Sequence, residues 1–416
     1  MTTPPHPSSP PRPDDASRPT LSLELFPPRT GPAASATWGR IDQLLATAPD
    51  FVSVTYRPTF VTEPATRPGG TSARTGAAAH GVGSGGPDGS DGPGACDATT
   101  TRVRVVREHN PAEDVVAHVL ATSDVPLMAH LTCIGYRKRD VVEIVTLFLS
   151  LGVRRFLALR GDPPRGTSPE DLDGELRHAD DLVRVIREVE VAYFGDHDRH
   201  VQVAVAAYPA AADRAREVEV LAAKQDAGAD LAITQVFYDA AHYAGLTGEA
   251  GAAGVTMPIL PGVIPLTDLA RLSRLEALTG VPVPDDLRAA LAGSTGARRV
   301  GRGIAATLDL ATALLASGAP GLQLYTFNRT RPALDIVSHL RLGGILAGAA
   351  PDPAVQSAVE RGYLQATPGG APAFLHGAPG ADAVHGVPGT SAPRGGAPAH
   401  TVPSPSTAVS ALKEIA

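Results

Sequence analysis

Short apolar runs alternate along the chain with stretches of helical periodicity. The runs are LSLEL (21–25), FVSVT (51–55), PLMAHL (126–131), RFLAL (155–159), VQVAVAA (201–207), LAITQVF (231–237), PILPGV (258–263) and LQLYTF (322–327). Each is five to seven residues long and apolar on both alternating faces, as strands buried on both sides of a parallel sheet are. Between them, 111–122, 137–151, 179–191 and 214–227 place Val, Leu, Ile and Ala at helical spacing, with Arg, Glu and Asp filling the other positions. Eight strands alternating with amphipathic crossovers predict an α/β fold, a (β/α)8 TIM barrel. A doubly wound sheet, the competing architecture, would carry Gly-x-Gly-x-x-Gly directly after its first strand. No such motif follows residue 25.

Composition narrows the folded part. About half of the 43 Gly and 39 Pro among the 416 residues gather in three tracts. The prediction is a disordered N-terminal segment (1–20), a catalytic barrel (21–350) interrupted by a low-complexity insert (62–100), and a mostly disordered tail (351–416). The 43 acidic side chains outnumber the 36 basic ones, no like-charge block occurs and aromatics are 4%, which argues against a nucleic-acid partner. No run of eighteen uncharged apolar residues occurs, and the N-terminus lacks the basic and apolar regions of a secretory signal. The expectation is a cytoplasmic protein with no membrane partner. Its oligomeric state stays open, a homo-oligomer included. Cys96 and Cys133 make neither a disulfide framework nor a zinc site.

Barrels of this class carry their chemistry where strands end and βα loops begin. Those positions hold Glu24; Thr55 and Tyr56; His130 and Thr132; Arg160, Gly161 and Asp162; Tyr208; Gln235; and Asn328 and Arg329. Glu24 lies between Leu23 and Leu25, where desolvation disfavours its charged form and suits it to general-acid work. The plainer alternative is a buried ion pair with Arg29 or a neighbouring arginine. Asp162, after Gly161, suits a carboxylate aimed at a ligand, or an Asx turn. A lone His130 is more often a hydrogen-bonded core histidine than a ligand contact, and no metal-ligand spacing surrounds it, so no metal is expected. Gln235 offers donor and acceptor to a heterocycle edge or to a neighbouring loop, and Tyr208 a face for a planar ring or simple packing. Lys224 and Arg329 suit phosphate or carboxylate, or are solvated charges. No Ser-His-Asp or Cys-His order falls on the strand ends, and no P-loop is present.

In order, SLELFPPRT, FVSVTY, AHLTC, LALRGDPPRG, VAAYP, AKQDAGADLAITQVFYD, PILPGVIP and QLYTFNRT resemble the methylenetetrahydrofolate reductase family, over 21–61 and 101 to about 345. The resemblance implies FAD at the barrel mouth, NADH or NADPH as co-substrate, and reduction of 5,10-methylenetetrahydrofolate to 5-methyltetrahydrofolate for methionine synthesis. The partners are thus small molecules, a folate and a nicotinamide nucleotide. By motif position, Glu24 is the general acid that opens the folate's imidazolidine ring. Asp162 is the carboxylate that touches the pterin and tunes the flavin. Gln235 meets folate or nicotinamide, and Arg329 the glutamate tail. Thr55, Tyr56, His130, Arg160, Gly161, Asp162, Ala179, Tyr208, Glu217 and Lys224 fall on cofactor-binding or neighbouring positions. The chain departs from the family at Arg57-Pro58 (usually Gly-Ala), at Ala210 to Ala212 (often Glu-x-His), at Val220 and Ala223 in the helix carrying Lys224, and at Arg271 and Leu275 (Gln and Phe in some relatives). The departures from residue 57 to 223 cluster at the dinucleotide-phosphate end of the implied FAD site. A flavin-independent reductase, or a non-catalytic folate-binding homologue, are the alternatives they raise.

Overall fold

The computed structural model describes residues 18–28, 34–56, 59–64, 101–106, 110–164 and 167–346. Most of the N-terminal segment and of the low-complexity insert, and all of the tail (1–17, 65–100 and 351–416), lie outside the described residues. In chain order the elements begin β1 (Thr20–Leu25), α1 (Ala34–Leu45), β2 (Phe51–Thr55), β3 (Thr59–Pro64), β4 (Thr101–Val106), α2 (Pro111–Thr122), β5 (Leu127–Thr132) and α3 (Lys138–Ser150). They continue with β6 (Arg155–Leu159), α4 (Ala179–Phe194), β7 (Gln202–Ala207), α5 (Arg214–Asp226), β8 (Leu231–Thr234) and α6 (Ala240–Ala252). The last are β9 (Ile259–Leu260), β10 (Gly262–Val263), α7 (Leu269–Thr279), α8 (Asp285–Ala292), α9 (Gly296–Ala316), β11 (Gly321–Tyr325) and α10 (Thr330–Leu342).

The main sheet runs β10-β11-β1-β2-β5-β6-β7-β8-β9, every neighbouring pair parallel. Its two edges are halves of one run, PILPGV, split at Pro261, which has no N–H to give a ladder. β9 pairs with β8 and β10 with β11, and the Pro261 carbonyl accepts from Gln323 N at 2.9 Å. That run therefore closes the ring as the seventh strand of an eight-stranded barrel.

Two strands lie beyond the eight runs. β3 and β4 pair antiparallel, from Thr59 opposite Val106 to Pro64 opposite Thr101, so residues 62–64, expected in the insert, are strand. Val and Arg alternate over 102–105, a period-2 signal masked by the low-complexity tract beside it.

Period-2 alternation divides the strands between two cores. Phe51, Met128, Leu157, Ala204, Leu231, Ile233 and Leu260 pack together inside the barrel. Leu23, Val52, Ala129, Phe156 and Val203 face outward against Ile41, Val115, Phe148, Leu182 and Leu221 of the helices, each large side chain so buried contributing about 1.5–3 kcal/mol. Four helices start at side-chain caps: Asn110, Asp213, Asp239 and Asp268 accept from backbone N–H groups of α2, α5, α6 and α7, which anchors those helix starts. Among the described residues no helix is long and apolar enough to cross a membrane.

Candidate active site

The inward positions nearest the C-terminal ends of β1, β2, β5 and β11 are polar, in two layers. In the lower layer the Ser22 hydroxyl donates to Gln323 Oε1, and Gln323 Nε2 donates to Ser53 Oγ at 3.1 Å, all three buried. This mutually satisfied trio forms a floor. Two residues further along the same strands come Glu24, Thr55 and Tyr325, with His130 beside them on β5.

Glu24 is 8% exposed. Thr55 Oγ1 donates to its Oε1 at 2.8 Å, and Thr326 Oγ1 donates to its backbone carbonyl at 2.6 Å. His130 Nδ1 stands 3.4 Å from Thr55 Oγ1 and 3.7 Å from Glu24 Oε1. Thr55 has one proton and gives it to Glu24, so toward Nδ1 it can only accept. With Glu24 ionised, this arrangement holds His130 as the Nδ1–H tautomer. Among the described residues its buried Nε2 has no hydrogen-bond partner, and neither has the buried Thr132 Oγ1 two residues on. Unmatched buried polar atoms are costly, and these two fit the edge of a heteroatom-rich ligand. Arg29, the ion-pair alternative for Glu24, lies outside the described residues.

Burial lowers the His130 pKa from 6.5 to about 3. The unfolded chain therefore binds this proton between those values and the folded protein does not. Stability falls as pH drops from about 6.5 toward 3, by up to about 1.4 kcal/mol per pH unit from this group. Urea unfolding at pH 7, 6 and 5 should show His130→Gln losing less stability on acidification than the parent. Parallel losses would refute the buried neutral imidazole.

Tyr325 closes the site opposite His130. Its hydroxyl donates to Thr234 O at 2.7 Å, and burial raises its pKa, with Glu24 adding to the rise. The ring passes directly over Gly262, where a Cβ would lie 2.5 Å from Tyr325 Cε2 and 2.3 Å from Thr234 O. Only glycine permits that approach. Tyr325 was not singled out from the sequence, although its parity with Gln323 in LQLYTF marks it as inward-facing.

The rim carries the remaining candidates. Gly161 has φ +83°, and its turn leaves Asp162 exposed, 4.0 Å from Arg160 Nη2. The Arg160 guanidinium itself donates to Gly161 O. Ala179 opens α4 beside this turn, where Cys133 Sγ reaches both Arg160 O and His178 O. Gln235 follows β8, still tied by its N–H to Ala207 O at 2.8 Å. Tyr208 is exposed at the end of β7, with Lys224 Nζ 5.8 Å from its ring centroid. Arg329 stands half-exposed at the start of α10, 3.5 Å from Asp268.

Three candidates are turned to other tasks. Tyr56 follows inward Thr55 and so points outward, packing edge-on against Phe148 in the helix-facing core. Lys224 Nζ donates to Ala206 O at 2.7 Å, and Glu217 accepts from Tyr208 N at 3.0 Å. Both clamp α5 onto the end of β7. Burial lowers Lys224 and raises Glu217 in pKa, each countered in part by the other's charge. Among the described residues, the one trio with metal-ligating atoms mutually close is Asp196, Asp198 and His200. It lies on the α4–β7 loop, at the opposite end of the barrel.

A closed (β/α)8 barrel with a buried carboxyl group, a neutral histidine and unpaired polar atoms at the C-terminal ends of its strands is the architecture of a barrel enzyme. The particular family follows from comparison: residues 12–69 and 96–341 match the model for methylenetetrahydrofolate reductase, and the chain belongs to that family. A relative from Pectobacterium carotovorum, 5,10-methylenetetrahydrofolate reductase, is 29% identical over 74% of this chain and 86% of its own. A rice relative, probable methylenetetrahydrofolate reductase (NADH), is 28% identical over 78% of this chain and 48% of its own. A Caenorhabditis elegans relative, probable methylenetetrahydrofolate reductase (NADPH), is 31% identical over 56% of this chain and 34% of its own.

Proposed function

We propose that the protein reduces 5,10-methylenetetrahydrofolate to 5-methyltetrahydrofolate with electrons from NADH or NADPH, supplying methyl groups for methionine synthesis. The observation that carries this reading is Glu24, a carboxyl group buried at the mouth of a barrel of this family and held by Thr55. The substrate's imidazolidine ring opens when a C–N bond breaks. Glu24 gives its proton to the departing nitrogen, and the electron pair left on the other nitrogen makes an iminium cation. One hydride to the methylene carbon then yields the methyl group.

Asp162 sets a negative charge beside that cation. Its carboxylate faces solvent here, so its effect requires bound ligands to cover it, because water screens an open charge. Gln235 supplies an amide to the pterin or nicotinamide edge, and Arg329 a cation to the folate tail. FAD, when bound, stores the hydride between the nicotinamide and folate half-reactions. Its ring end would be held by Thr55, His130, Arg160, Gly161, Asp162, Ala179 and Tyr208, and the unpartnered His130 Nε2 suits such a heterocycle.

A second reading, direct hydride transfer from the nicotinamide to the iminium, is favoured by one observation. Lys224 and Glu217, expected toward the cofactor, are engaged by the β7 backbone. A visible absorption spectrum of the protein, after loading with FAD and removing the excess, separates the two. The expected result is a retained flavin spectrum that bleaches with NADH under anaerobic conditions and recovers with methylenetetrahydrofolate. No retained flavin, with NADH oxidation that still requires the folate, selects direct transfer. No folate-dependent oxidation at all overturns the reductase and leaves a folate-binding homologue.

A further inference from the structure

Strand parity brings two polar side chains to the N-terminal opening of the barrel, the end away from Glu24. Arg155 lies two residues before Leu157 and Gln202 two before Ala204, both of which pack inside the barrel, so Arg155 and Gln202 face inward as well. They are direct neighbours across β6 and β7. The Arg155 guanidinium sits 5.2 Å from the ring centroid of Phe51, the first residue of β2. Among the described residues neither the Arg155 guanidinium nor the Gln202 amide has a hydrogen-bond or ion-pair partner. Arg154, one residue earlier and turned outward, instead donates to Leu149 O at 2.8 Å and Val153 O at 2.9 Å.

The carboxylate whose charge reaches Arg155 is that of Asp50, and both of its oxygens are committed. Oδ1 accepts from Arg18 Nη2 at 2.6 Å, and Oδ2 from Leu21 N at 2.7 Å. Arg341 feels the same carboxylate and donates to Thr47 O and to Ala48 O. Three guanidinium groups thus share one carboxylate, an excess of two positive charges. Burial lowers the Arg155 pKa and Asp50 opposes this only in part, as expected for a cation short of counter-charge. A half-buried guanidinium carries five donors and no acceptor, and donors left unmatched are costly. Those donors lie in the guanidinium plane, so the ring of Phe51 supports the group while its forked edge stays open to an oxyanion.

We propose that this opening is an anion site, at which Arg155 and the Gln202 amide bind a phosphate group, free or carried by a small phosphate monoester. The excess of two charges matches a phosphate dianion, the form that prevails at neutral pH. Gln202 adds a neutral donor from the adjoining strand. A phosphate held by both side chains joins β6 to β7 at the end of the barrel that serves stability rather than chemistry. It therefore strengthens the fold, as any ligand of the folded state does, and leaves the chemical step at Glu24 untouched. The inference is independent of the folate reading of the mouth.

The test is calorimetry and thermal unfolding of the full chain with inorganic phosphate or glycerol 3-phosphate, chloride holding the ionic strength constant. The parent should bind phosphate with a Kd of about 1 mM, and its unfolding midpoint should rise saturably by about 2–4 °C. Arg155→Met should bind at least about tenfold more weakly and lose the rise. Without phosphate the same variant should be no less stable than the parent, because methionine keeps an apolar stem over Phe51 and removes a cation without a counterion. Arg155→Lys should bind with intermediate strength, since the charge survives and the fork does not. Gln202→Leu, which leaves the charge alone, should weaken binding about fivefold. A monoester that binds more tightly than inorganic phosphate identifies the ester as the ligand, and weaker binding identifies the free anion. Equal stabilisation of the parent and Arg155→Met by phosphate would be general exclusion of the salt from the protein surface, and it overturns the proposal. A marked loss of stability in Arg155→Met without phosphate overturns it too, by making Arg155 a structural partner of Phe51.

Discussion

Glu24→Gln should lower folate reduction by two to four orders of magnitude while nicotinamide oxidation by an artificial electron acceptor stays within about twofold of the parent. Glutamine has the same shape, and its amide oxygen can still accept from Thr55 Oγ1, now 2.8 Å from Glu24 Oε1. What it lacks is a proton to release. On the proposed flavin-dependent reading only the folate step breaks a C–N bond that needs protonation, so the two activities should separate. Stopped-flow measurement of each half-reaction, with circular dichroism to establish folding, decides the matter. Folate turnover equal to the parent's would remove Glu24 from the chemistry, and equal loss of both activities would make it a structural residue of the mouth.

Glu24 could be found in the sequence because a carboxylate inside LSLEL violates the apolar pattern around it, and such violations gather at functional sites. Thr55 and His130 were legible for the same reason, as polar residues at the ends of FVSVT and PLMAHL, and the structure brings all three together. The eight runs and their order also carried the barrel. Side-chain direction was harder to read. Tyr56 neighbours Thr55 in the chain, but successive strand residues face opposite ways, so one belongs to the mouth and the other to the Phe148 layer. Lys224 and Glu217 are spent on β7 because a helix covering a sheet must also satisfy exposed strand-end groups, a requirement no single segment displays. The Asp268, Arg271 and Arg329 cluster joins residues 61 positions apart, brought together only when β10 and β11 pair. The split at Pro261 was written in PILPGV, since a proline inside a strand cannot donate.

The face opposite the mouth should govern stability, and Arg187→Met tests it. Arg187 on α4 donates to Glu190 at 2.7 Å, to Val201 O at 2.8 Å, to Gly228 O at 2.7 Å and 3.0 Å, and to Asp230. The carboxylates it meets are committed as well. Glu190, 2% exposed, accepts from His200 N at 2.5 Å and Val201 N at 2.6 Å, while Asp230 accepts from Val203 N at 2.7 Å. One guanidinium thus ties α4 to the first residues of β7 and to the turn before β8. Methionine fills most of its volume but leaves the buried Glu190 charge without its counterion, and removing one partner of such a pair costs about 3–5 kcal/mol. That is a large share of a typical folding free energy of about 5–15 kcal/mol. Urea denaturation should show the midpoint falling with an unchanged slope, and kcat of the folded protein should hold, because the substitution lies at the far end of the barrel from Glu24. A loss below about 1 kcal/mol would mean that the backbone N–H groups alone suffice to hold Glu190. In that case the parallel ladder, rather than the ion cluster, would be what fixes α4 against β7.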